Sequence, residues 1–313
     1  MINGLLDITL AVPEPDELVE FWRRRGLSDS ADLGSAERPG FLKITDGPYR
    51  HLAELHLGCE SEQDLHDISR RLAALGVAAP VSDTTLRVED PVFDHIVTVD
   101  VVGPRTLTAG PPRATNGPGH APRRTARAEV ILESHPRPPR RVGHVVLATP
   151  RHVEANAFYV DGLGFRVSDK MLDGVLTFMR CESDHHNLLI QPSSVSYLNH
   201  YAVEMDDVDA IGAAGTAVVA ERSEADVVGI GRHLLGSNLF WYLTDPAGNM
   251  FEFFADMDQI DDDELWDGEI RRDDWTPDEA GLSIWGAAEA PDVFFEPPDL
   301  AAIGAAREAR GKR

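Results

Sequence analysis

Apolar and polar positions along this chain come in short bursts, and the bursts recur in a fixed order. In the second half, RVGHVVLAT (141–149) is rich in β-branched residues and stops at Pro150. RHVEANAFYVDGLG follows with apolar positions at helical spacing and closes on glycines, which predicts a short amphipathic helix. FRVSD, VLTFMRC and HNLLIQ then read as three short strands. LNHYAVEM (198–205) restarts the order. DDVDAIGAAGTAVVAE reads as a helix with an acidic first turn, as the positive end of a helix dipole prefers. NLFWYLTD and NMFEFFAD are strands joined across PAG, a turn signal. The half reads as strand, helix, three strands, twice over.

The first half repeats this more faintly. LLDITLAVP precedes EPDELVEFWRRRGL. HLAELHLGC precedes ESEQDLHDISRRLAALG and strand candidates ending in FDHIVTVDVVG. Internal repetition of this kind defines a fold class. We expect an α+β protein of paired βαβββ modules, in two domains with curved mixed sheets. Residues 1–108 form a degenerate first domain without a metal site. Residues 109–140, where Pro, Gly and Arg displace the apolar pattern, are a linker and read as a solvated loop. Residues 141–257 form the catalytic domain, and 258–313 an acidic tail that could cover the active-site mouth or meet a partner subunit. The last stretch, AAIGAAREARGKR, reads as a frayed or disordered helix.

Charge narrows the choice of partners. There are 53 acidic against 29 basic residues, a formal net charge of −24. Such a surface repels phosphate backbones, so nucleic acid is not expected as a partner. Only Cys59 and Cys181 are present, which gives no disulfide framework or thiolate cluster and fits a reducing cytosol. No run approaches the ~20 apolar residues that span a bilayer, so no membrane association is expected. The N-terminus lacks the basic start and apolar core of a signal peptide.

Three polar residues stand out against this background. Glu252 sits inside the apolar run NMFEFF, and an unpaired carboxylate on a buried strand is costly. His144 is central in RVGHVVLAT, and His200 is early in LNHYAVEM. Each occupies the first or last strand of a repeat unit. Alternation along the strands puts His144 on one face with Val146, Glu252 with Phe254, and His200 with Ala202. Two imidazoles and one carboxylate with open positions form the facial triad of non-haem Fe(II) oxygen chemistry. Aligning Pro13 with Pro150 sets Asp7 opposite His144. Aligning Pro91 with Pro246 sets Val97 opposite Glu252, and Ala53 or Glu54 falls opposite His200. The scaffold repeats, but the ligand set does not.

GRHLLGSNLFWYLTDPAGNMFE resembles the C-terminal signature of type I extradiol catechol dioxygenases, members of the vicinal oxygen chelate superfamily. NAFYVDGLGFRVSDK resembles the first helix and turn of their catalytic domain. GHVVL and LNHYAVEM resemble the strands that carry their histidine ligands. The resemblance covers about residues 141–257. It implies Fe(II), less often Mn(II), held by His144, His200 and Glu252, with a catecholic substrate and O₂. It implies that His186 in DHHNLL is the acid/base, with His185 the weaker candidate. His233 would hydrogen-bond substrate or oxygen, and Tyr242 would sit near a substrate hydroxyl. Val146 stands where carboxylate-binding relatives place a polar residue, and Phe178 lies on a strand that should reach the cavity. Both favour an uncharged ring substituent. Against that, IRRDDW resembles a segment carrying a substrate-carboxylate arginine in homoprotocatechuate-type relatives, which would make Arg272 a substrate ligand. A homo-oligomer, dimer or tetramer, is expected. Two other readings share the scaffold: a metal-dependent isomerase or lyase, and a binding protein that performs no reaction.

Overall fold

The computed structural model describes residues 1–28, 32–35, 38–103, 113–286 and 289–312. The first half contributes β1 (Ile2–Val12), α1 (Pro15–Arg23), β2 (Leu42–Asp46), β3 (His51–Cys59), α2 (Glu62–Ala74), β4 (Val81–Ser82), β5 (Thr85–Glu89) and β6 (Ile96–Val101). Its strands form one mixed sheet in the order β2-β1-β3-β6-β5-β4. A short helix, α3 (Glu129–Leu132), lies in the connection.

The second half supplies β7 (Val142–Thr149), α4 (His152–Asn156), β8 (Arg166–Met171), β9 (Leu176–Arg180) and β10 (Leu188–Pro192). It repeats the order with β11 (Tyr197–Glu204), α5 (Val208–Glu221), β12 (Asp226–Arg232), β13 (Leu239–Thr244) and β14 (Met250–Ala255). These strands form an eight-stranded sheet, β12-β13-β14-β11-β7-β10-β9-β8. The second half is a pair of βαβββ modules, the vicinal oxygen chelate architecture; in the first half, among the described residues, β2 alone follows α1 before β3 starts the second module, and both sheets are open rather than closed barrels. After α4 the chain winds through a π-helical turn to Leu163, and Gly164 at φ +94° ends it in the left-handed region that only glycine enters freely. The tail adds α6 (Asp263–Leu265), α7 (Asp292–Phe295) and α8 (Leu300–Ala309).

The helices follow their local chemistry. α1 has Pro15 and two acids in its first turn and buries Leu18, Phe21 and Trp22. α2 and α5 are capped by the side chains of Ser61 and Asp207. Trp22 ties the two halves together. It is fully buried, its ring meets Phe251 and Phe253 edge-on, and its indole N–H donates to the Tyr201 hydroxyl at 3.1 Å. Trp22→Ala therefore removes an aromatic wedge and leaves a buried hydroxyl short of one donor. We expect a loss of about 3–5 kcal/mol, read as a lower midpoint in differential scanning calorimetry.

Two features differ from the sequence reading. The boundary at 108 lies outside the described residues, but the Arg-rich connection beyond it does not run free in solvent. Arg113 pairs with Asp207 and Glu133, and Arg137 and Arg140 pair with Asp206. The acidic entry to α5 draws the basic segment onto the second half. The tail also ends in an ordered helix. α8 buries Ile303 beside Tyr49 and Tyr197. Arg50 grips Asp299 through two bonds of 2.6 and 2.7 Å, and Arg307 meets Asp94 at 3.2 Å.

Strand pairing also corrects one proposed counterpart. His56 pairs with Asp7 and with Thr98, just as Ala202 pairs with His144 and with Glu252. The position equivalent to Glu252 is Thr98, not Val97. Glu54 takes the place of His200 and accepts from the Thr98 hydroxyl. Asp7 is held by His56 at 2.7 Å and by Lys43 at 2.9 Å. In the first half these positions are closed into ion pairs and hydrogen bonds.

Candidate metal centre and active site

In the second sheet β11 lies between β7 and β14. Ala202 on β11 is the cross-strand partner of both His144 and Glu252. A methyl group is thus all that separates the imidazole from the carboxylate, and His200, two residues earlier on the same face, completes a cluster. One donor atom from each of the three lies within 4.8 Å of the other two. Among the described residues no other trio of His, Cys, Asp and Glu gathers this closely. His144 Nε2 is 2.9 Å and His200 Nε2 is 3.5 Å from the same oxygen of Glu252. All three side chains are buried.

The protonation states suit a cation. Burial pushes His200 down to about 4, so its ring is neutral near pH 7. The Asn199 side-chain Oδ1 accepts from His200 Nδ1 at 2.7 Å, which leaves the Nε2 lone pair facing Glu252. That nitrogen is buried and has no hydrogen-bond partner. Burial opposes ionisation of Glu252. The neighbouring histidines outweigh it and hold the carboxyl well below its usual range. Asn238 donates to its second oxygen at 2.9 Å. Two imidazoles, one anion and an orphaned nitrogen aimed between them fit a divalent metal with positions to spare.

A cavity of about 400 Å³ opens from this cluster. His186 and His233 line it near the ligands, as do Tyr242 on β13, Val146 on β7 and Phe178 on β9. The tail contributes Pro277, residues 280–282, Ala290, Phe294 and Phe295 to its wall. Tyr242 is the cross-strand partner of Glu252. Its hydroxyl lies 2.9 Å from His233 Nε2, and the Leu282 carbonyl accepts from His233 Nδ1 at 2.6 Å. The tail thereby fixes the tautomer of His233, and Tyr242 is the donor in their bond. Burial, then the charge of Glu252, raises the Tyr242 hydroxyl well above its ordinary value.

His186 sits against His144, with ring centres 4.5 Å apart. Burial, then neighbouring histidines, pushes it well below its ordinary value. His185 and His186 fall on the bend before β10 rather than on a strand, and only His186 lines the cavity. His185 turns away to Asp169, its Nε2 at 2.9 Å from the carboxylate. The carboxylate accepts from Nε2–H, and in that neutral tautomer His185 Nδ1 accepts from His186 Nδ1 at 3.1 Å. The relay ends with His186 Nε2 bare toward the cavity.

The comparisons with known proteins agree with this geometry. Residues 141–253 match the Glyoxalase/Bleomycin resistance protein/Dioxygenase superfamily. The chain is 35% identical to metapyrocatechase 2 of Cupriavidus necator, over 88% of this chain and 90% of that one. The chain belongs to the type I extradiol dioxygenases of the vicinal oxygen chelate superfamily. An iron-dependent extradiol dioxygenase of Rhodococcus jostii (strain RHA1) is 26% identical over 85% of this chain and 91% of its own. Among solved structures, homoprotocatechuate 2,3-dioxygenase from Brevibacterium fuscum superposes with a TM-score of 0.71 at 19% identity, covering 94% of this chain and 91% of that one.

One expected residue of this dioxygenase stands elsewhere. Arg272 does not line the cavity. Its guanidinium bonds Asp274 and Glu279 and lies 3.9 Å from the centre of the Trp275 ring. Its backbone N–H and the Trp275 indole both donate to Asp169, so this segment steadies the His185 relay from outside. Sequence reasoning missed Asn199, Asn238 and Asp169. A strand neighbour of a ligand should face the other way, and Asn199 escapes that rule because the β11–β7 pairing shifts register between Leu198 and His200. Its amide also donates to the Phe294 carbonyl at 2.7 Å, which links the tail to a ligand. Asn199→Ala is expected to weaken metal binding about 10- to 100-fold. Titration of the apoprotein with Fe(II) measures it, and an unchanged affinity would make Asn199 a tail anchor only.

Among the described residues, no helix is long and apolar enough to cross a membrane.

Proposed function

We propose that this enzyme opens a catecholic ring beside its two hydroxyls, using O₂ and Fe(II) held by His144, His200 and Glu252, with Mn(II) as the alternative metal. One conjunction carries the reading. Two imidazoles and a carboxylate converge at the end of an apolar cavity, beside a base with a bare nitrogen and a tyrosine–histidine pair. A metal held by these three side chains would supply Lewis-acid activation of the catechol hydroxyls and redox coupling of the ring to O₂.

The side chains handle protons and position. His186 Nε2 accepts the proton of one catechol hydroxyl and returns it as the ring opens. Tyr242 gives its own proton to the bond with His233, so its lone pairs accept from the second hydroxyl. That hydroxyl keeps its proton, and the substrate binds as a monoanion. The apolar walls exclude water from the reacting atoms. Val146 and Phe178 face the ring and favour an uncharged substituent. Both atoms of O₂ enter the product. The carbon–carbon bond beside the diol breaks, and the open chain carries a carboxylate and a carbonyl, as in a muconic semialdehyde.

The test is anaerobic loading with Fe(II), then air and a panel of catechols. A yellow ring-fission product that requires both metal and O₂ is expected. Iron retained without product would turn the reading to an isomerase or lyase. Neither iron nor product would leave a binding protein. Assembly as a dimer or tetramer belongs to the same proposal, and sedimentation velocity reads it.

A further inference from the structure

The cavity, at about 400 Å³, is larger than one ring, and its lining beyond the candidate ligands is not uniformly apolar. β10 runs parallel beside β7, with Leu189 opposite Val146 and Gln191 opposite Ala148. Alternation puts His144, Val146 and Ala148 on one face, so three levels lead away from the metal ligands. Gln191 stands two levels beyond His144, about 13 Å along the strand, and one level beyond Val146, about 7 Å. A catechol chelated beside His144 places its ring near the Val146 and Leu189 level. A substituent must cover the rest of the way.

Gln191 is 2% exposed and lines the cavity. Its amide nitrogen is buried with no hydrogen-bond partner. A buried, unpaired amide is costly, and none of the cavity chemistry described so far uses it. Rotation of the amide can present either its N–H or its carbonyl. The group that satisfies it has to be neutral. Among the described residues no Lys or Arg lines the cavity, so a carboxylate would find no counter-charge there, and the exposed Glu289 would repel it. Pro192 follows it and also lines the cavity, and among the described residues Gln191 is the one side-chain amide in that lining.

We propose that Gln191 is a specificity-determining residue, and that the preferred substrate is a catechol with an apolar substituent of about 7 Å that ends in a neutral hydroxyl or carbonyl bonded to the Gln191 amide. This rests on the ring-cleavage reading. It adds the length of the substituent and the chemistry of its tip. A site built to bond a hydroxyl discriminates strongly against the analogue without one, because its own polar group is then stranded.

The experiment compares 3-alkylcatechols of graded chain length with the same chains ending in a hydroxyl. It uses the wild-type holoenzyme, Gln191→Met and, as a second apolar variant, Gln191→Leu. Steady-state kcat/KM gives one ratio, hydroxyl-ended over plain, for each enzyme. Anaerobic calorimetry of the metal-loaded protein gives the same ratio for binding alone. In wild type the ratio should exceed about tenfold at the matching length, and it should fall by at least that factor in both variants. A ratio that Gln191→Met and Gln191→Leu leave within twofold overturns the assignment, even if every catechol is cleaved. The opposite result, a Gln191-dependent binding ratio with no cleavage of any catechol, would keep the subsite and sink the ring-cleavage reading.

Discussion

Glu252→Gln is expected to cost this dioxygenase its metal and its turnover together. The substitution keeps the shape and the contact with Asn238 but removes the one anion among the three donors. No other carboxylate can take over, since the cluster of His144, His200 and Glu252 stands alone among the described residues. The residue is fully buried, and water cannot supply the lost charge. Removing one partner of a buried charged pair costs about 3–5 kcal/mol. At 1.4 kcal/mol per tenfold, metal affinity should fall roughly 100- to 1,000-fold or more. Bound iron would be counted by elemental analysis after gel filtration, and ring-fission activity measured on the same sample. An enzyme that kept stoichiometric iron and activity within tenfold of wild type would remove Glu252 from the metal site.

The gathering of His144, His200 and Glu252 was legible in the sequence because two of them broke a pattern. A Glu inside NMFEFF and a His inside GHVVL contradict the burial that their neighbours demand. The paired modules were legible for the same reason, from apolar bursts and the turns between them. What stayed hidden depends on geometry that residue types do not encode. Thr98 was misplaced by one position because the segment after Pro91 is one residue longer than its counterpart after Pro246, and proline alignment cannot see that. The hydrogen bond from Asn199 exists because of a register shift. The carbonyls of Leu282 and Phe294, which hold His233 and Asn199, are backbone groups that any residue could supply. α8 looked like a loose Ala- and Gly-rich end, but its anchors, Arg50 and Asp94, lie in the first half of the chain. Arg272 shows the opposite limit. A familiar segment suggested a substrate ligand, and the acids beside it in the fold hold its guanidinium instead.

The acid/base role separates from metal binding in one comparison. His186→Ala should leave iron content at the wild-type level, because none of the three ligands is removed and Asn199 and Asn238 still orient His200 and Glu252. Turnover should nevertheless fall by about 100- to 10,000-fold, the range for losing a general acid/base. The fall should appear in kcat with little change in KM, since Tyr242 and the apolar walls still hold the ring. Asp169→Ala then tests the relay behind His186. Without the carboxylate, His185 no longer commits its proton to Nε2 and can present an N–H to His186 instead. His186 Nδ1 then loses its acceptor, and the ring is free to turn its protonated nitrogen toward the substrate. A base that is present but wrongly tautomerised is the failure expected when an orienting carboxylate is removed. Asp169→Ala should show a smaller loss in kcat than His186→Ala, with iron retained, and the double variant should be no worse than His186→Ala alone, because both changes interrupt one function. Additive losses in the double variant would mean that Asp169 acts only by anchoring Arg272 and Trp275.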